Sequence, residues 1–206
     1  VFLTGKTWNI PKAAGLPMRK SSPMEVMPLL AILREQKKMK LKGGIYHRTQ
    51  IDLTYNSNHI EGSRLTHDQT RYIFETNTIG ITDESVNVDD IIETTNHFRC
   101  IDLIIDRAEE RLSEKYIKEL HYILKSGTSD HRKDWFAVGD YKRLPNEVGG
   151  ILTTPPELVH YEVKTLLAEY NAKKSKTFED IIDLHQRFES IHPFQDGNGR
   201  VGRLIM

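Results

Sequence analysis

The stretch TFEDIIDLHQRFESIHPFQDGNGRVGR, residues 177–203, holds a helix, a glycine-bearing loop and the start of a second helix. Thr177 stands where an N-cap is favoured. Phe178, Ile181, Ile182, Leu184, Phe188 and Ile191 then recur with the helical period, which predicts a helix running to Ile191. Pro193 cannot continue it, so His192 falls at the helix-to-loop junction, where its imidazole can face a cleft. Gly197 and Gly199 leave room for a ligand to approach main-chain N–H groups. Such a turn, opening a new helix, makes an anion site from unpaired N–H donors and the positive helix end, and a phosphate is its natural guest.

Arg200 and Arg203 lie three apart on the new helix, so both guanidinium groups are expected on one face, gripping phosphate oxygens. Asp196 is placed to hold a Mg²⁺ that bridges phosphates, since hard oxygen ligands suit that ion, and Mn²⁺ could replace it. Each piece alone is commonplace. A histidine near a helix end is more often structural, Asp before Gly is usually a turn, and paired arginines usually face water. Their joint order and spacing is what a solvated loop has no reason to require.

Working outward, the texture is helical. Leu29, Leu30 and Leu33 begin one helix that stops at Gly43-Gly44, a second covers about 49–60, and Thr66 with Gln69 forms a capping-box pattern for a third. Residues 88–108 are periodic enough for a long buried helix, and Ser113 caps another that stops at Gly127. Between 127 and 156 glycine and proline interrupt the pattern, and β-prone pieces at 135–138 and 150–154 predict a small hairpin. Pro155-Pro156 precedes a helix over 157–173. The first two dozen residues, broken by Pro11, Pro17 and Pro23, read as an extended surface arm. The fold class is mostly α.

Lysine plus arginine equals aspartate plus glutamate at 29 each, so no global field favours nucleic acid or an anionic membrane, and any anion site must be local. No apolar run approaches the roughly 18–20 residues that span a bilayer, and the N-terminus lacks the order of a signal peptide. Cys100 is single, which fits a reducing, cytoplasmic setting. A start at Val1 and an end at Met206, inside an expected helix, read as a piece of a longer chain.

Residues 192–203 match His-Pro-Phe-x-Asp-Gly-Asn-Gly-Arg-x-x-Arg at every specified position, and the chain therefore resembles the Fic family. The likeness extends to residues 184–191, to Gly139-Asp140-Tyr141-Lys142-Arg143, to Val148-Gly149-Gly150 and to Pro155-Pro156-Glu157-Leu158. Upstream, Ser57-Asn58-His59-Ile60-Glu61-Gly62 is similar to the inhibitory motif of members with an N-terminal inhibitory helix. The resemblance implies a helical bundle with a β-hairpin flap over the active site. It divides the chain into an N-terminal part, 1–87, with arm and inhibitory helix, and a catalytic core, 88–206.

The implied activity is protein adenylyl transfer from ATP to a Ser, Thr or Tyr hydroxyl. His192 would be the base, Gly197, Asn198, Gly199, Arg200 and Arg203 would bind nucleotide, and Asp196 the metal. The flap segment Val148, Gly149, Gly150 and Ile151 would dock the target, and Ser57, Glu61 and Gly62 would inhibit by pairing Glu61 with Arg203. ATP and a protein target are the expected partners, without nucleic acid or membrane; a homo-oligomer is compatible with the pattern. Two alternatives stay open: a hydrolase that removes AMP, with Glu61 positioning water, and a nucleotide- or protein-binding module without turnover.

Overall fold

The computed structural model describes residues 27–80 and 85–206, and the arm expected at the N-terminus lies outside them. Local capping sets most helix starts. Helix α1 (Leu29–Met39) follows Pro28 and ends at Lys40 in the left-handed region. Helix α3 (His67–Thr76) opens with the expected capping box, in which Thr66 accepts from the Gln69 N–H and Gln69 accepts from the Thr66 N–H. Asn87 caps α4 (Val88–Arg107), Ser113 caps α5 (Glu114–Lys125), and Thr177 caps α7 (Phe178–Ile191) in a second box with Asp180. Pro155 and Pro156 begin α6 (Pro156–Ala172), where the missing N–H costs nothing. The last helix, α8 (Asn198–Ile205), starts directly after Gly197.

Three sequence expectations need correction. Helix α2 spans Ile45–Ile60 and so begins earlier than residue 49. Its first turn is capped from another element, because the Gln36 side chain of α1 accepts the Tyr46 N–H at 3.1 Å. Residues 135–138 form no strand; Phe136 and Ala137 are buried in an irregular segment, with the Phe136 ring 6.2 Å from that of His121. The hairpin consists of β1 (Glu147–Val148) and β2 (Ile151–Leu152), antiparallel, with Val148 opposite Ile151. Phe178 and Ile182, counted in the apolar face of α7, are 73% and 40% exposed, whereas Leu184, Phe188 and Ile191 are buried. The C-terminal half of α7 supplies the buried side chains that meet α6 and α8.

Helix α4 is central and packs on α2, α5 and α8, among others. The main core joins Cys100, Ile101 and Ile105 of α4 to Leu120 and Leu124 of α5, Val163 and Leu166 of α6, Phe188 of α7, and Val201 and Leu204 of α8. Tyr46 of α2 belongs to the same cluster, so the N-terminal helices share the core with the rest. Polar ties between α2 and α4 are buried as well: Gln50 donates to the Phe98 carbonyl and Asn58 to the Thr94 hydroxyl, and Thr54 bonds His97. These contacts fix the end of α2 over the start of α8. Among the described residues no helix is long and apolar enough to cross a membrane.

Candidate active site

His192 terminates α7 with φ +53°, a left-handed conformation that allows the chain to turn before Pro193. Its ring Nδ1 lies 3.3 Å from the Glu189 carbonyl. A carbonyl can only accept, so Nδ1 carries the proton and Nε2 keeps its lone pair. Burial pushes the imidazole below its usual value, with Lys142 adding to the effect, and the ring is neutral at physiological pH.

The loop after His192 is stapled from inside. Asn198 is buried, and its amide both accepts the Phe194 N–H at 2.7 Å and donates to the Phe194 carbonyl at 2.8 Å. The side chain expected to meet nucleotide therefore shapes the loop, and its backbone N–H remains for a ligand. Gly197, at φ +80°, lets α8 begin with its first N–H groups unpaired.

The two arginines face different surroundings. Arg200 is buried, pairing through Nη1 with Glu93 of α4 and through Nη2 with Asp196 at 3.2 Å. Arg203 is turned to α2: its Nε donates to the Ser57 hydroxyl at 2.9 Å, and Nη2 donates to the Ser57 carbonyl at 3.0 Å and to Glu61 Oε1 at 2.6 Å. Glu61 is thereby seated against the first turn of α8, so close that a Cβ at Gly199 would collide with its carboxylate. Gly62, at φ +94°, turns the chain away after it. Ser57 and Glu61, four apart at the end of α2, are thus brought to Arg203, 146 and 142 residues further on.

Asp196 tests the fit of a divalent cation. Burial alone would raise its carboxyl, but Lys125 and Arg200 hold it down at about 2, so it is ionised. Its Oδ2 is engaged by both cations while the side chain remains 48% exposed, which leaves a face open to a hard ion. Glu93, Asp130 and Asp196 also bring carboxylate oxygens within 4.8 Å of one another. The Lys125 ammonium lies among them and bonds all three.

The hairpin is tied to this loop at its base. The Lys142 N–H donates to the Pro193 carbonyl at 2.8 Å, and the Asn146 amide to the Phe194 carbonyl at 2.9 Å. Lys142 Nζ reaches Asn146 Oδ1 and Thr153 Oγ1, both at 2.6 Å, and the Ile191 carbonyl at 3.4 Å. Gly149 and Gly150 both have positive φ, as a two-residue hairpin turn of the I′ kind requires. Val148, Ile151 and Leu152 are exposed, so the hairpin offers apolar side chains beyond its anchored base.

Residues 111–206 match the model of the Fic/DOC family. The chain carries a Fic domain. A Fic domain containing signaling protein from Bacteroides thetaiotaomicron superposes with a TM-score of 0.68 at 27% identity, covering 85% of this chain and 69% of that one. A Fic family protein from Desulfovibrio desulfuricans shares the fold, with a TM-score of 0.67 at 21% identity over 90% of this chain and 58% of that chain. Among curated proteins, the protein adenylyltransferase Fic of Drosophila mojavensis is 27% identical over 160 residues, 74% of this chain and 30% of that protein. The chain thus spans about a third of the length of such relatives.

Around the Fic-domain loop the structure gathers polar residues that sequence reading did not single out. Glu93 and Asp130 resemble ordinary helix and turn acids, and Lys125 sits where a lysine is expected anyway, at the C-terminus of α5. His121 stacks on Phe194 at 4.0 Å between centroids, accepts the Gly139 N–H at Nδ1 and donates from Nε2 to the Asp196 carbonyl. It therefore fixes the loop from below. No local pattern marks such residues, because their partners lie in other elements.

Proposed function

We propose that this protein is an adenylyltransferase that moves AMP from ATP onto a Ser, Thr or Tyr hydroxyl of a protein target, and that Glu61 restrains it from within. The observation that carries the reading is the Glu61 carboxylate at the opening of α8, paired with Arg203 and pressed on Gly199 in the first turn after the loop that begins with His192. A carboxylate held there marks a place suited to anions, by its N–H groups, its helix end and its guanidinium. Relatives named protein adenylyltransferase Fic, aligned over most of this chain, support the reaction class.

In the unrestrained site, nucleotide phosphates would take the position of the Glu61 carboxylate, against residues 197–199 and Arg203. His192 Nε2 would accept the proton of the attacking hydroxyl as its oxygen bonds the α-phosphorus. The bond from that phosphorus to the bridging oxygen breaks, and pyrophosphate leaves. General base catalysis of this kind contributes about 10²–10⁴ in rate. Asp196 would hold a magnesium ion, which when bound supplies charge neutralisation to the phosphates. Arg200, fixed by Glu93, adds a stationary positive charge beneath the loop. The exposed edge of the hairpin would receive the target as an added strand.

The test is incorporation of label from ATP labelled at the α-phosphate, with Mg²⁺, into wild type, Glu61→Gly and Glu61→Gly/His192→Ala proteins. Label rising at least tenfold in the first variant and vanishing in the second is expected. Incorporation that ignores both substitutions would refute the assignment. No label in any form, with AMP released from a modified target and that release lost in Glu61→Gly, would establish the reverse, hydrolytic direction instead.

A further inference from the structure

Lys125 is 2% exposed, yet it is surrounded by acids from three separate segments. Its ammonium lies 2.5 Å from Glu93 Oε1 on α4, 2.6 Å from Asp130 Oδ2 on the 3₁₀ turn after α5, and 2.7 Å from Asp196 Oδ2 on the loop. An ammonium has three donors, and here each has one carboxylate. Three oxygens gathered within 4.8 Å of one another are otherwise the arrangement a hard divalent ion looks for. Lys125 stands in the middle of it.

The same contacts reach Arg200. Glu93 divides its oxygens between Lys125 and Arg200, and Asp196 Oδ2 receives both cations. Asp196 therefore has one oxygen directed inward and committed, while part of the side chain stays open to solvent.

We propose that Lys125 is a positioning residue that occupies the cation's place among Glu93, Asp130 and Asp196, so that a divalent ion arriving with nucleotide is held at the outer face of Asp196 and is kept out of the three-carboxylate cluster. Its purpose rests on the adenylyl-transfer reading, but its measurement does not. Without Lys125, three carboxylates at ligand spacing, those of Glu93 and Asp130 largely shielded and that of Asp196 half-exposed, would face one another, and a divalent ion would be drawn inward, away from the phosphates. Arg200 would also lose the partner that shares Glu93 with it.

The experiment is a titration with Mn²⁺ in the absence of nucleotide, with bound ion read by electron paramagnetic resonance and folding by circular dichroism. Wild type, Lys125→Arg, Lys125→Met and Asp130→Asn are compared. Wild type, Lys125→Arg and Asp130→Asn should bind Mn²⁺ weakly and within twofold of one another. Lys125→Met should take up one Mn²⁺ at least tenfold more tightly. A folded Lys125→Met protein with wild-type affinity overturns the proposal. So does an Asp130→Asn protein that binds Mn²⁺ at least fivefold more weakly than wild type, since the cluster would then hold metal despite Lys125. Should Lys125→Met fail to fold, the comparison of wild type with Asp130→Asn decides alone. Failure of the adenylyl-transfer reading would show separately, as absent α-phosphate label in Glu61→Gly.

Discussion

Replacing Glu61 with glutamine keeps the shape of the side chain and removes its charge, which isolates the pair with Arg203. The two groups meet at 2.6 Å, with side chains 29% and 20% exposed, so the contact is partly shielded from water. Charge centres about 4 Å apart attract by about 4 kcal/mol at an effective dielectric of about 20. Desolvation and side-chain ordering consume much of that, and exposed pairs retain about 1 kcal/mol or less. A half-shielded, hydrogen-bonded pair should retain about 1–2 kcal/mol more than a neutral amide in the same place.

Because nucleotide phosphates must displace this carboxylate, the difference should reappear as ATP affinity, a factor of about 5–30 in Kd. Calorimetric titration with ATP and Mg²⁺ in a His192→Ala background avoids turnover. The Glu61→Gln form should bind ATP about 5–30-fold more tightly, while its unfolding free energy without nucleotide falls by the same difference, about 1–2 kcal/mol. The loss goes no further because Arg203 keeps the Ser57 hydroxyl and carbonyl. An ATP affinity within twofold of the parent, in a folded protein, would refute the idea that Glu61 stands in the phosphate position.

Two further outcomes follow from the core beneath the site. Phe194 is fully buried on His121, so Phe194→Ala should lower the unfolding free energy by about 3–5 kcal/mol with an unchanged urea m-value; a loss under about 1 kcal/mol would contradict the packing described. Burial holds both His97 and His121 down at about 3, below the ordinary 6.5 of an unfolded histidine. Their contribution is complete above pH 6.5 and is lost as pH falls toward 3, at about 1.4 kcal/mol per pH unit for each group. Urea titrations between pH 7 and 4 should show that slope, reduced by about half in His97→Gln; a flat profile would mean that the rings titrate normally in the folded protein.

Much of the fold was legible because the signals are short-range. Thr66 with Gln69, Ser113, Thr177 and Pro155-Pro156 act on residues within one turn of themselves, and the structure has helices starting at each. The start of α2 was misread because its cap comes from Gln36 of another helix. Residues 135–138 looked β-prone in isolation, yet Phe136 gains more by burial near His121 than it could in a short exposed strand.

For the site, the sequence by itself determined the loop: a helix end at His192, a turn permitted by Gly197 and a new helix carrying Arg200 and Arg203. Those features depend on backbone sterics and on hydrogen bonds such as Asn198 to Phe194, which span only a few residues. Tertiary structure decided which charge meets which. Glu61 and Arg203 are separated by 142 residues and Glu93 and Arg200 by 107, while Lys125 collects acids from three segments. A charged side chain is compatible with many partners of opposite sign, and nothing in its immediate neighbours selects one. Only the packing of α2, α4 and α5 around α8 brings particular acids and bases to hydrogen-bonding distance and turns a list of common residues into a site.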